Sequence, residues 1–108
     1  MSTLVDDSTI AWQELGGGIK RKIMAYDDKM MVVKVGFETG GVGALHHHTH
    51  TQASYISKGK FEIVIGEDKM VLSEGDVYFV PSGIIHGAVC LEEGELIDVF
   101  SPLREDFL

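Results

Sequence analysis

The chain predicts a single all-β domain, a sandwich or a barrel, on three observations. Apolar and β-branched residues come in short runs about 8–12 residues apart, bounded by turn residues. Glycine is abundant, at 13 residues, and lies mostly between those runs rather than inside them. No stretch sustains a 3.6-residue apolar period, so a helical core is not expected. The 108 residues suffice for one domain. A chain of that size buries roughly 60–70% of its unfolded surface, enough for one core without cross-links.

Taken in order, residues 1–17 read as an N-terminal arm, with room for one short turn or helix between Ser8 and Leu15. The domain is expected over residues 18–108. IKRKIMAY (19–26) and MMVVKVGFE (30–38) flank Asp27-Asp28-Lys29 and predict a hairpin. FEIVIG (61–66) and KMVL (69–72) flank Glu67-Asp68 in the same way. VYFV (77–80), GAVCL (87–91) and ELIDVF (95–100) complete the set as short strands. The Lys20-Arg21-Lys22 cluster would scatter its charges over both faces of a strand, which reads as solvated surface. Arg21, on the face of Ile19 and Ile23, is the member able to point inward. The five methionines read as core or interface filling, and Cys90 as a buried, inert thiol.

Composition narrows the function. A net charge of −8 argues against nucleic acid or an anionic membrane surface as partner. An anionic small molecule would need local positive groups to hold it against that field. No apolar run approaches the ~18 residues of a membrane span. MSTLVDDSTI has neither the basic start nor the apolar centre of a signal peptide. The single cysteine excludes an intramolecular disulfide and fits a reducing compartment, so the cytoplasm is expected.

GALHHHTHTQ (43–52) places four of the five histidines in five positions. It is mid-chain, broken by Thr49, and follows a strand-like stretch, which sets it apart from a purification tag. On a strand, His46 and His48 project together and His47 points away, so the pair offers two imidazoles to one ion. Gln52 supplies a third ligand if the chain turns through Thr49, His50 and Thr51. His86, after the loop PSGIIH, supplies a fourth. Each histidine taken alone is more often a surface or satisfied core residue than a ligand. His50 reads either as a group behind the ligands or as exposed on the turn.

These residues resemble the two motifs of the cupin superfamily. The first, G-x5-HxH-x3,4-E-x6-G, falls on Gly40, His46, His48, Gln52 and Gly59 with every spacing kept. The second, G-x5-PxG-x2-H-x3-N, falls on Gly75, Pro81, Gly83, His86 and Cys90. Gln52 replaces the usual glutamate and Cys90 the usual asparagine. The resemblance implies a jelly-roll β-barrel with one divalent transition metal in its mouth. Three imidazoles and an amide suit nickel or zinc first, with manganese, cobalt and iron as further candidates. A neutral amide leaves the full 2+ charge on the ion, which favours polarisation of a substrate oxygen and an anionic ligand.

The end of the chain, LIDVFSPLREDF (96–107), puts Leu96, Asp98 and Phe100 on one strand face. Asp98 then reads either as an edge residue reaching solvent or Arg104, or as a carboxylate inside the barrel placed for proton transfer. GGGIKRKIMAY, the glutamine-substituted metal motif and this terminal block together resemble the pectin degradation protein family KdgF, from about Trp12 to Leu108. Members of that family convert 4,5-unsaturated uronates into linear ketonised sugars. The resemblance implies that its D-x-F-x3-R catalytic residues are Asp98, Phe100 and Arg104. It also implies a small-molecule uronate from pectin, with the alginate-derived equivalent as a second source. Small cupins commonly pair through their sheets, so a homodimer is expected, with Trp12 of the arm available to pack on a second subunit. The competing readings are a metal-dependent sugar-acid-binding cupin without catalysis and an iron-dependent oxygenase. Asp98, Phe100 and Arg104 weigh against the first, and Gln52 against the second.

Overall fold

In the computed structural model, which describes residues 3–108, nearly all regular structure is strand. Met1 and Ser2, the start of the expected arm, lie outside the described residues. The strands are β1 (Gln13–Gly16), β2 (Ile19–Tyr26), β3 (Met31–Phe37), β4 (Val42–His46), β5 (Thr51–Ile65), β6 (Asp68–Ser73), β7 (Val77–Val80) and β8 (His86–Ser101). All their pairings are antiparallel, in the order β1-β2-β3-β8-β5-β6, with β4 also on β8 and β7 also on β5.

The two long strands make the barrel. β8 pairs with β5 along nearly its whole length, and both fold over midway, where the register shifts between Ile56 and Phe61. One half of the ladder joins β1, β2, β3 and β7; the other joins β4 and β6. The two halves face each other and enclose Phe37, Ile56, Phe61, Ile63, Val80 and Leu96, with Met31, Val33 and Phe100 as a second cluster. Gly59 is what the bend requires. Its φ is +83°, and a Cβ there would lie 2.5 Å from the Glu92 carbonyl oxygen and 2.6 Å from that of Glu93. The glycine closing the first cupin motif is therefore a packing requirement at the fold-over.

Several expectations need correction. GAVCL and ELIDVF are one 16-residue strand: Glu92, which read as part of a turn between them, pairs with Lys60 of β5, and Glu95 pairs with Lys58 across the bend. FEIVIG is likewise only the second half of β5. The short turn in the arm falls at Asp7–Thr9 as a 3₁₀ turn capped by Asp6, and Gln13–Gly16 is strand, paired with β2. The basic cluster is not all solvated. Lys22 is buried, with its ammonium donating to the Asp7 backbone carbonyl at 3.1 Å and carboxylate at 3.2 Å. Lys34 reaches the same carboxylate at 2.8 Å. Trp12 lies beneath the ammonium groups of Lys20 and Lys22, at 4.5 and 4.8 Å from its ring centre. The arm thus folds back on its own sheet, covering a lysine whose aliphatic stem is a good apolar surface. Cys90 is buried, as expected.

Candidate metal centre and active site

β4 ends at His46 and β8 begins at His86, and these two residues are partners in the β4–β8 ladder. Their rings stand 4.3 Å apart between centres. His48 lies past the end of β4, so strand alternation does not orient it as the sequence pattern suggested. The loop does so instead. The His48 carbonyl accepts from the Gly83 amide at 2.8 Å, tying the PxG turn to the HxH turn. Gly83 has φ +80°, a conformation that favours glycine. Ligand nitrogens of His46, His48 and His86 all come within 4.8 Å of one another. His47 is exposed.

Each of the three rings is held the same way. Nδ1 of His46 faces the Ala44 carbonyl at 2.8 Å, Nδ1 of His48 the His50 carbonyl at 2.9 Å, and Nδ1 of His86 the Ile84 carbonyl at 2.9 Å. A carbonyl only accepts, so Nδ1 carries the proton and Nε2 presents a lone pair. Burial pushes the His86 imidazole down to about 4, the neighbouring histidines and Arg104 adding to it. His48 is lowered too, again chiefly by burial. Both rings are therefore neutral at physiological pH. His50 serves the cluster through its backbone carbonyl, behind His48, and its ring packs edge-on against that of His48.

Gln52 begins the polar floor of the site. It is buried on β5, its Nε2 donates to Ser54 Oγ at 2.9 Å, and its Oε1 faces His48 Nε2 at 3.0 Å. Two lone pairs thus point at each other, while the buried His86 Nε2 has no partner at all. Leaving such groups unpaired costs about 1–3 kcal/mol each. A divalent cation among three imidazole nitrogens and an amide oxygen satisfies them together, and such a donor set fits a transition metal.

Asp98 lies on β8 between β3 and β5, opposite Val33 and Ser54. It is a central-strand residue facing the barrel interior, and the edge-strand alternative falls away. Ser54 Oγ donates to its Oδ1 at 2.6 Å. Burial raises the Asp98 carboxyl to about 6, opposed by the Ser54 hydrogen bond and the Arg104 charge. Phe100, two residues on, packs edge-on against His48 and Phe107. Arg104 does not pair with Asp98. Its guanidinium lies 5.1 Å from the Phe100 ring centre and 4.4 Å from that of Phe107, and it grips Asp106 through Nε at 3.0 Å and an Nη at 2.8 Å. Arg21 points inward and covers the Phe107 ring at 4.0 Å.

A cavity of about 340 Å³ brings His46, His86, Gln52, Asp98, Phe100 and Arg104 to one space. The sequence reading missed Ser54 and Tyr78, which stand beside each other in the β5–β7 register, and Phe107. Ser54 carried a usable signal: two residues after Gln52, it must share that side chain's face.

The cupin domain family matches residues 31–100. Pectin degradation protein KdgF of Dickeya dadantii (strain 3937) is 49% identical over 106 residues, 96% of each chain. The solved structure of KdgF from Halomonas sp. is 39% identical and superposes with a TM-score of 0.96, covering 100% of both chains. An RmlC-like cupin from Shewanella frigidimarina NCIMB 400, also 39% identical, gives 0.97 over 100% of this chain and 97% of its own. Likeness of this degree over the full length goes beyond a shared jelly roll: the chain belongs to the cupin superfamily and, within it, to the family of the pectin degradation protein KdgF.

Proposed function

We propose that this protein converts 4,5-unsaturated uronates, from pectin and from alginate, into linear ketonised sugars by ring opening and tautomerisation. The observation that carries this reading is a buried carboxyl, raised to about 6, in one cavity with an arginine and with His46 and His86 of the converging three-histidine cluster. The 49% identity to a pectin degradation protein supports the substrate class.

His46, His48, His86 and Gln52 would hold one divalent metal, nickel or zinc in the first instance. Bound there, such an ion supplies Lewis-acid polarisation of substrate oxygens. The substrate opens as the anomeric hydroxyl loses its proton and the bond between anomeric carbon and ring oxygen breaks. The ring oxygen takes up a proton, which leaves an aldehyde and an enol. The enol hydroxyl then loses a proton and the neighbouring alkene carbon gains one. No electrons are exchanged and no group is added. Asp98, with a carboxyl near 6, both accepts and donates protons at neutral pH and moves that proton. Arg104 takes the substrate carboxylate on the two N–H groups that now hold Asp106. Phe100 forms the apolar wall that orients the sugar.

The deciding assay supplies an unsaturated uronate monomer to the metal-loaded protein and follows loss of its C=C absorbance. Acceleration over the spontaneous rate is expected; none would end this reading in favour of a binding protein. We place the protein in the cytoplasm as a homodimer. The outer face of the sheet presents Tyr55, Val77 and Phe79, each about half exposed, beside Ile97 and Val99, a surface suited to a second copy. A monomer mass in analytical ultracentrifugation would exclude that pairing. Among the described residues no helix is long and apolar enough to cross a membrane.

A further inference from the structure

One hydroxyl joins the two halves of the site. We propose that Ser54 is a positioning residue for both: it aims the Gln52 amide oxygen at the histidine cluster and fixes the Asp98 carboxylate. This inference deepens the proposed function and rests on it for the role of Asp98.

Ser54 is only 1% exposed and stands on β5 directly between Asp98 of β8 and Tyr78 of β7. A serine hydroxyl has one proton to donate and lone pairs to accept with. Here the proton goes to Asp98 Oδ1 at 2.6 Å, and a lone pair receives the Gln52 Nε2–H at 2.9 Å. The polarity of the chain is therefore set: Gln52 donates to Ser54, and Ser54 donates to Asp98.

Two consequences follow for the site. The terminal torsion of a glutamine is broad, and its amide turns over easily when nothing holds it. With its nitrogen committed to Ser54, Gln52 presents Oε1 to His48; turned over, it would present a nitrogen that cannot ligate a cation. At the other end Oδ1 is occupied as an acceptor, so the carboxylate cannot rotate away and Oδ2 is the oxygen left to exchange a proton with substrate. The neighbours of Asp98 on its own strand face, Leu96 and Phe100, are apolar. Ser54 touches neither the substrate nor the cation, and acts through the two residues that do.

The test compares the full-length native chain with Ser54→Ala and Ser54→Thr. Circular dichroism melts establish that each is folded. Dissociation constants for Ni²⁺ and Zn²⁺ come from competition with a chelating dye, and kcat and KM from an unsaturated uronate monomer. Ser54→Ala is expected to weaken metal binding roughly 10–100-fold, the usual effect of removing a group that orients a ligand. Its kcat falls while KM stays near native, because Arg104 is untouched. Ser54→Thr, which keeps the hydroxyl, stays closer to native in both. Metal affinity or kcat within twofold of native in Ser54→Ala overturns the inference. So do equal losses in the two variants, which would point to packing rather than the hydroxyl. A native chain that binds metal yet leaves uronate unchanged removes the proposed function instead, and the affinity comparison alone then decides the role of Ser54.

Discussion

Where β5 residues 61–65 pair with β8 residues 86–90, the inward side chains below His86 are Phe61, Ile63, Ala88 and Cys90. Where β5 residues 51–56 pair with β8 residues 96–101, they include Gln52, Ser54 and Asp98 among Ile56, Leu96 and Phe100. The same two strands, with the same alternation, make an apolar core on one side of the bend and a hydrogen-bonded polar chain on the other. The apolar half is held by area and shape, and any well-fitting hydrophobic side chain serves it. The polar half is tolerable only because its members meet in register, each satisfying the next. Damage to the first half should therefore appear as lost stability, and damage to the second as lost chemistry.

The sharpest way to break that contrast is Asp98→Ala. Turnover should fall by roughly 10²–10⁴, the usual worth of a positioned proton-transfer group, with metal content unchanged by elemental analysis. Full activity would take Asp98 out of the mechanism. In the other half, Phe61→Ala deletes a fully buried ring that packs edge-on against Phe37 with centres 5.1 Å apart. A loss of about 3–5 kcal/mol in chemical denaturation is expected, and the fraction still folded should retain near-native kcat.

The third prediction concerns pH in the metal-free chain. Asp98 titrates near 6 in the fold, against an ordinary 3.8, so the native state holds its proton through that window. Its contribution is full below the lower value and is lost as pH rises through the upper one. His86 has the opposite sign. It titrates near 4 against an ordinary 6.5, so the unfolded chain holds the extra proton and stability grows as pH rises between the two. The two effects largely cancel in the native sequence. Asp98→Asn removes the first, and its stability should climb from pH 4 to 6.5 by on the order of 2 kcal/mol more than that of the native chain. Equal slopes in denaturant titrations would mean that Asp98 is not buried as described.

The smallest effect is expected at the rim of the site, where Asp106 is well exposed and its partner Arg104 is not. Asp106→Asn leaves the guanidinium free for a substrate carboxylate. KM should drop about two- to fivefold, in line with the modest worth of an exposed ion pair, with kcat unchanged. An increase in KM would show that Asp106 helps to hold Arg104 in place.

Much of this was legible from spacing alone. His46, His48, Gln52 and His86 stand out because few residue types ligate a metal and the intervals between them match those of the cupin motifs they resemble. Gly59 and Gly83 stand out because glycine has few rivals at positive φ. That Leu96, Asp98 and Phe100 share one face follows from the two-residue period of a strand. Other features were hidden, each because it depends on a partner far along the chain. Lys22 reads as surface until the arm lays Trp12 and Asp7 over it. Glu92 reads as a turn until Lys60 pairs with it. Arg104 reads as a partner for Asp98 until Asp106 curls back to it in the last turn.

What the sequence determined by itself was the class of the fold, a candidate donor set for a metal and the list of polar residues with chemistry to offer. Those are properties of residue type and local period, and they need no third dimension. Only the tertiary structure decided that Asp98 is interior rather than at an edge, that His48 is aimed by a loop rather than a strand, and that Ser54 stands between Gln52 and the carboxylate. Each of these depends on which strand lies beside which and in what register. Register is set by the packing of the whole barrel and its bend at Gly59, and no short stretch of sequence carries it.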